Sequence, residues 1–180
     1  MKMKTNFLIF LSLTITILFT SCFGNSKSED NKLSYEGISL LYPSYWKAET
    51  EKLGEGSFYI DCSEKFSSNT IFLVSFVTWE RDSEEIINNF IETLEEDFDV
   101  TREPFTTNKF GKYDCISVSY KMSRPGERAY GIVYAFNSSE KSMLVVKQSK
   151  REYDLKHKKY KLMEDSFNIE NDEIGNEPSL

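Results

Sequence analysis

The order of the periodic segments constrains the fold of this chain more than any other feature. Strand patterns come first, followed by one amphipathic helix, three more strands and a second helix. A chain with this order forms an antiparallel sheet covered by helices, because strands joined by short turns pair as hairpins. The expected fold class is therefore α+β, with an antiparallel β-sheet sandwiched by helices in an α/β/α arrangement.

The first helix is the clearest single element. Residues 83–98 carry an apolar stripe at helical spacing, and Asp82 with Glu85 resembles a capping box at its start. The run of β-branched and aromatic residues at 70–79 predicts a central strand before it. A second helix is expected at residues 154–167.

The remaining segments predict hairpins. Glu36 and Gly37 lie between two short strand patterns, and Pro43 ends the second one because it lacks a backbone N–H. Short strands are expected at residues 57–62 and within 100–110. A three-strand meander is predicted at residues 113–122, 128–137 and 142–149.

The first 21 residues indicate a secretion signal. Lys2 and Lys4 precede an apolar run at residues 7–19, which is shorter than the roughly 20 residues of a membrane-spanning helix. The run ends in Thr20-Ser21-Cys22, which resembles the lipobox of bacterial lipoproteins. The resemblance implies cleavage before Cys22 and lipidation of its thiol. A plain signal peptide and a retained signal anchor are the alternatives.

The rest of the chain divides into three parts. Residues 22–32 are small and polar, which predicts a lipidated tether. Residues 33–169 contain the periodic segments and fit one domain. Residues 170–180 are acidic and contain Gly175 and Pro178, which predicts a disordered tail.

A second resemblance concerns the domain itself. The stretch Ile38-Ser39-Leu40-Leu41-Tyr42-Pro43-Ser44-Tyr45-Trp46 resembles the opening strand and Pro-x-x-Trp turn of the PsbP-like fold, a superfamily that includes DcrB-like bacterial lipoproteins. The order of the later elements, down to Ser166-Phe167, is also similar. The resemblance implies an α/β/α sandwich. It implies no enzymatic activity, because members of this fold mostly bind other proteins.

Charge and motif content narrow the function. A net charge of −7 disfavours nucleic-acid binding, which needs a basic surface. The chain contains no nucleophile-elbow, phosphate-loop or dinucleotide-binding glycine pattern. His157 is the only histidine and lies in a basic segment, so it is interpreted as a surface residue. No zinc site or other cofactor is expected, and the chain is not expected to be an enzyme.

Cys62 and Cys115 both fall in predicted strands. In an oxidising compartment they can form a disulfide if those strands are neighbours. The favoured alternative is two separate buried thiols, because a free cysteine packs as a small apolar residue.

Two charged segments are candidate partner surfaces. The first helix carries an acidic face, which comprises Glu84, Glu85, Glu92, Glu95 and Glu96. A basic segment at residues 147–161 includes Lys156, Lys158 and Lys159. These charges can contact a partner, pair with each other within the domain, or be solvated helix faces. Four aromatic residues are expected in the core rather than in a ligand groove: Tyr42, Tyr45, Trp46 and Trp79.

The predicted protein is a lipid-anchored lipoprotein of the cell envelope that binds another envelope protein or serves as an accessory module. The outer membrane is favoured, at its periplasmic face or the cell surface, because Phe23 replaces the Asp that retains lipoproteins at the inner membrane of enteric bacteria. The alternatives are an immunity-type lipoprotein that neutralises a toxin, and a small-ligand-binding or enzymatic envelope domain.

Overall fold

A computed structural model describes residues 30–54, 56–65, 67, 69–77, 82–138 and 141–170. Within these residues the helices are α1 (Ser83–Glu95), a 3-10 helix (Glu152–Lys156) and α2 (Lys158–Ser166). The strands are β1 (Asn31–Tyr35), β2 (Ile38–Tyr42), β3 (Trp46–Gly54), β4 (Ser57–Glu64), β5 (Thr70–Val77), β6 (Asp99–Arg102), β7 (Thr106–Phe110), β8 (Tyr113–Arg124), β9 (Glu127–Asn137), β10 (Lys141–Ser149) and β11 (Asn168–Ile169).

The strands form two antiparallel sheets. The large sheet has the order β3-β4-β5-β10-β9-β8-β6, and β7 pairs with the same edge of β8 as β6. The small sheet has the order β1-β2-β11. The predicted meander is confirmed as β8-β9-β10, and β5 is a central strand as expected. The predicted antiparallel sheet with helices is confirmed, but the domain is richer in strand than the expected α/β/α sandwich.

The first core lies between one face of the large sheet and a mixed layer. That layer contains the small sheet, the 3-10 helix and α2. Aromatic rings dominate the contact: Phe110 and Phe167 have centroids 5.3 Å apart, and Tyr113 and Phe136 stack at 5.2 Å. The backbone N–H of Ile169 donates to the Tyr113 hydroxyl at 2.9 Å, which fastens β11 to the large sheet.

The second core lies under α1 on the opposite face. Ile86, Ile87 and Ile91 are buried against residues of β8, β9 and β10. The Asp82 carboxylate accepts the backbone N–H of Glu84 at 2.8 Å, so the predicted N-cap is confirmed. The helix ends at Glu95, three residues before the predicted end, because the chain then turns into β6.

Two strands were not predicted, the two-residue β11 and the longer edge strand β3. The sequence of β3, WKAETEKLG, contains two lysines and two glutamates, and most of its residues are exposed. This strand pairs only with β4 among the described residues, at the edge of the large sheet. Its charged side chains suit an edge strand, where they discourage pairing with another chain.

The second predicted helix is broken in two. His157 has an extended backbone (φ −69°, ψ 144°) between the 3-10 helix and α2. Its Nδ1 accepts the backbone N–H of Lys159 at 3.3 Å, so this residue caps α2 instead of lying inside a helix.

Hydrogen-bonded structure reaches slightly past the limits 33–169 expected from the sequence. Strand β1 begins at Asn31, inside the predicted tether, and the backbone N–H of Glu170 donates to the carbonyl of Gly37 at 2.7 Å. The described structure therefore extends two residues before position 33 and one residue after position 169. Cys22 and the predicted signal peptide lie outside the described residues, as do residues 171–180.

Candidate functional site

The two cysteines do not form a disulfide. Cys62 in β4 and Cys115 in β8 are buried free thiols. Strands β5, β10 and β9 lie between them, which separates the cysteines by roughly 19 Å at about 4.8 Å per strand. A disulfide needs Cα atoms about 5.5 Å apart, so the alternative of two separate thiols is correct.

Burial also makes these thiols unreactive. Desolvation raises the pKa of Cys62 to about 12 and the pKa of Cys115 to about 11. Both are therefore protonated at neutral pH, and the thiolate is the nucleophilic form. The two cysteines act as small core residues and do not supply a catalytic nucleophile.

The acidic face of α1 is open to solvent. All five of its glutamates are exposed, and none forms an ion pair within the described part of the chain. The first turn contains Glu84 and Glu85, which the helix dipole stabilises. The other three, Glu92, Glu95 and Glu96, lie at the C-terminal end, where no basic residue is present in the last turn.

The basic segment lies on the other side of the large sheet. The 3-10 helix and α2 pack against the first core, whereas α1 packs against the second. The acidic face and the basic segment therefore do not pair with each other. Two of the segment's charges instead form exposed local pairs, Arg151 with Asp154 and Lys161 with Asp165, both at 3.1 Å.

Lys159 is not part of an exposed partner surface, contrary to the sequence-based expectation. Its side chain is only 7% exposed, and its Nζ contacts the Glu64 carboxylate at 2.8 Å. The same Nζ lies 5.4 Å from the ring centroid of Trp46, in cation–π geometry. Lys156 and Lys158 are exposed as expected.

Lys147 is buried in a similar environment. Its ammonium group is paired with Glu164 of α2 and lies 5.0 Å from the ring centroid of Tyr134. Both buried lysines therefore join the helical layer to the large sheet. Their role is structural, which removes two charges from the apparent basic surface.

The Glu64 carboxylate is held in its ionised form. Desolvation raises its pKa, but hydrogen bonds from Lys159, Asn69 and Ser67 outweigh this effect, so the pKa lies below its usual value. The Asn69 amide donates to Glu64 at 2.5 Å. Glu64 is thus a fixed anion that stabilises the buried ammonium of Lys159.

The aromatic residues near the Pro43 turn belong mainly to the core. Trp46 is 2% exposed and meets Tyr160 edge to face, with centroids 5.7 Å apart. Tyr42 is half-buried against the first core, and Tyr45 is 47% exposed. The core interpretation therefore applies to Trp46 and Tyr42 but is wrong for Tyr45. Trp79 lies outside the described residues.

One groove brings together residues that the sequence did not single out. It has a volume of about 410 Å³ and lies between β6 and the 3-10 helix. Its floor is the open part of the large sheet, where Lys121 pairs with Tyr130 and Ser119 pairs with Ile132. These residues come from separate segments without a motif. The alternation along β8 is the signal that places Ser119 and Lys121 on one face.

Two further properties concern membranes and metals. Among the described residues, no helix has both the length and the apolar character needed to cross a membrane. In the same residues, no group of three or more histidine, cysteine, aspartate or glutamate side chains is placed to hold a metal ion.

Comparison with known proteins defines the fold. No protein-family model and no curated protein matches the chain. It is similar to the solution structure of cyanobacterial PsbP (CyanoP) from Synechocystis sp. PCC 6803, with a TM-score of 0.60 and 11% identity over 83% of this chain and 97% of that chain. It is also similar to LpqN, which is involved in cell envelope biogenesis of Mycobacterium tuberculosis, with a TM-score of 0.50 and 10% identity over 79% of this chain and 91% of that chain.

A structure from Bacteroides thetaiotaomicron VPI-5482 is matched with a TM-score of 0.49 and 14% identity, over 77% of this chain but only 47% of that chain. The likeness to CyanoP confirms the expected PsbP-like fold. At 11% identity this likeness concerns the fold alone. The class defined by fold and surface is an antiparallel α+β domain with a PsbP-like fold and an exposed acidic helix.

Proposed function

We propose that this chain is a lipid-anchored lipoprotein of the cell envelope that binds a basic partner protein through the acidic face of α1 and catalyses no reaction. The lipid is attached to Cys22, and the outer membrane is the favoured location. The domain is of the DcrB-like type within the PsbP-like fold. The participation of LpqN in cell envelope biogenesis supports an envelope role for a domain of similar fold.

The observation that carries this proposal is the uncompensated charge at the C-terminal end of α1. Carboxylates there interact unfavourably with the negative end of the helix dipole. Glu92 and Glu96 are also four residues apart, and like charges at that spacing destabilise a helix by about 0.2–0.5 kcal/mol. A basic partner surface would relieve both effects.

The larger share of ion-paired charges on the other side of the domain supports the choice of surface. There, Lys147, Lys159, Arg151 and Lys161 each contact a carboxylate within the domain. The exposed Lys150, Lys156 and Lys158 form no ion pair among the described residues. The charges of α1 have no such partner among the described residues. An exposed set of unpaired charges of one sign also steers an oppositely charged partner toward the surface.

The test is affinity purification from the native envelope after crosslinking. The double variant Glu92→Lys/Glu95→Lys reverses the charge of the proposed surface. The matched control is Asp165→Lys/Glu170→Lys, because both of these acids are exposed and belong to the layer on the opposite side of the large sheet.

The wild type and the control are expected to retain the same partner, and the α1 variant is expected to lose it. Retention of the partner by the α1 variant would refute the proposed surface. The anchor is tested separately by mass spectrometry of the amino terminus, where an unmodified Cys22 would refute lipidation.

The groove beside the 3-10 helix favours a second candidate function, the binding of a small ligand. Its volume of about 410 Å³ lies within the range of about 300–1,000 Å³ that is typical of ligand sites.

The immunity-type alternative uses the same acidic face of α1. A basic toxin would have the charge that this face is expected to bind. Loss of toxin binding in the α1 variant would favour that alternative.

A further inference from the structure

The groove between β6 and the 3-10 helix is bordered by exposed charges of both signs. Glu103 and Lys121 lie on the side of the large sheet, and Glu152 and Lys156 lie on the 3-10 helix. Each side of the groove therefore contributes one carboxylate and one ammonium group.

None of these four side chains forms an ion pair with another residue that the structure describes. The backbone explains this for Glu152 and Lys156. A 3-10 helix has 3.0 residues per turn, so residues four apart do not lie above one another as they do in an α-helix. The neighbouring Arg151 and Asp154, three residues apart, do pair at 3.1 Å.

The floor of the groove is less polar than its borders. Tyr130 and Ile132 of β9 are half-buried there, and Leu155 of the 3-10 helix is buried. At about 10–15 Å³ for each water position, a groove volume of about 410 Å³ accommodates roughly 30 water-sized groups. That capacity is sufficient for a di- or tripeptide.

We infer that this groove binds a short peptide with a free amino terminus and a free carboxyl terminus. Lys121 and Lys156 bind the carboxylate, and Glu103 and Glu152 bind the ammonium group. The peptide side chains lie against Tyr130 and its neighbours on the floor. Charge-assisted hydrogen bonds of this kind are stronger than neutral ones, and unpaired side chains can form them without first breaking an ion pair.

The test is isothermal titration calorimetry on the protein isolated from its native membrane in detergent. The probes are tri-alanine, N-acetyl-tri-alanine and tri-alanine amide, which differ only in their terminal charges. Tri-alanine is expected to bind. Each blocked peptide is expected to bind about tenfold more weakly, because it lacks one charged contact.

Variants assign the contacts to residues. Lys121→Met and Lys156→Met are expected to lower the affinity for tri-alanine. They should also reduce the preference for tri-alanine over tri-alanine amide, which lacks a free carboxylate. Glu103→Gln and Glu152→Gln are expected to reduce the preference for a free amine. The control Lys150→Met alters an exposed lysine outside the groove and should bind as the wild type does.

The inference is overturned if tri-alanine gives no binding heat at millimolar concentration, if the three peptides bind equally, or if the four groove variants bind as the wild type does. The variant Glu92→Lys/Glu95→Lys separates this site from the proposed protein-binding surface. It should bind tri-alanine normally, because α1 lies on the opposite side of the large sheet.

Discussion

Replacement of Lys159 by methionine tests the finding that this residue is structural. The substitution removes the ammonium group and keeps most of the apolar stem that lies near Trp46. It leaves the Glu64 carboxylate, which is 21% exposed, without its cation but with its hydrogen bond from Asn69.

The expected cost follows from this partial burial. Removing one member of a buried ion pair costs about 3–5 kcal/mol, because the other charge is left uncompensated. Glu64 retains some solvent contact and its hydrogen bond from Asn69. We therefore expect the free energy of unfolding to fall by about 2–3 kcal/mol, at or slightly below the lower end of that range. The measurement is the free energy of unfolding from urea denaturation of wild-type and Lys159→Met protein.

Lys158→Met is the matched control, because Lys158 is the adjacent residue and is exposed. A change within about 0.5 kcal/mol is expected for it. The double variant Glu64→Met/Lys159→Met should recover much of the loss, since it removes both charges. Equal effects of Lys158→Met and Lys159→Met, or no recovery in the double variant, would refute the structural role of the pair.

Three further predictions follow from buried groups. Gly131→Ala should cost about 1–3 kcal/mol in urea denaturation, because a Cβ would lie 2.3 Å from the Tyr120 ring; the cost should shrink in a Tyr120→Ala background. The lowered pKa of Glu64 in the folded state stabilises the protein above the ordinary glutamate pKa; this contribution is lost as the pH falls through the folded-state pKa, so Glu64→Gln should flatten the acid limb of the stability curve. Cys62 and Cys115 should resist a thiol reagent at pH 8 until urea unfolds the protein, and rapid modification of the folded chain would contradict their burial.

The sequence predicts the elements with strong periodicity. The stripe of α1, the meander β8-β9-β10 and the hairpin at Glu36 and Gly37 are all present. In that hairpin both turn residues have positive φ, 48° and 80°, as the mirror-image turns of tight hairpins require. These features depend on local patterns, so one sequence is sufficient to predict them.

The errors occur where tertiary contacts decide the outcome. The β3 segment has the composition of a helix and becomes a strand because it pairs with β4. Lys159 has the sequence context of a surface residue, but the strand that carries Glu64 brings a carboxylate to it. The distance between Cys62 and Cys115 depends on strand order, which a local pattern does not contain.

The same limit applies to the candidate surfaces. The acidic face of α1 could be predicted from helical spacing alone. The groove could not, because Glu103, Lys121 and Glu152 come from three segments that only the folded sheet brings together. That the basic segment lies across the large sheet from α1 likewise follows from topology.

The most direct test of the central claim is site-specific photo-crosslinking in the native organism. A photoreactive amino acid at Thr93, an exposed position among the acids of α1, is compared with the same group at Asp165 on α2. We expect a crosslinked partner from position 93 in the membrane fraction, its loss in the Glu92→Lys/Glu95→Lys background, and no such adduct from position 165. No adduct from position 93, or the same adduct from both positions, would contradict it.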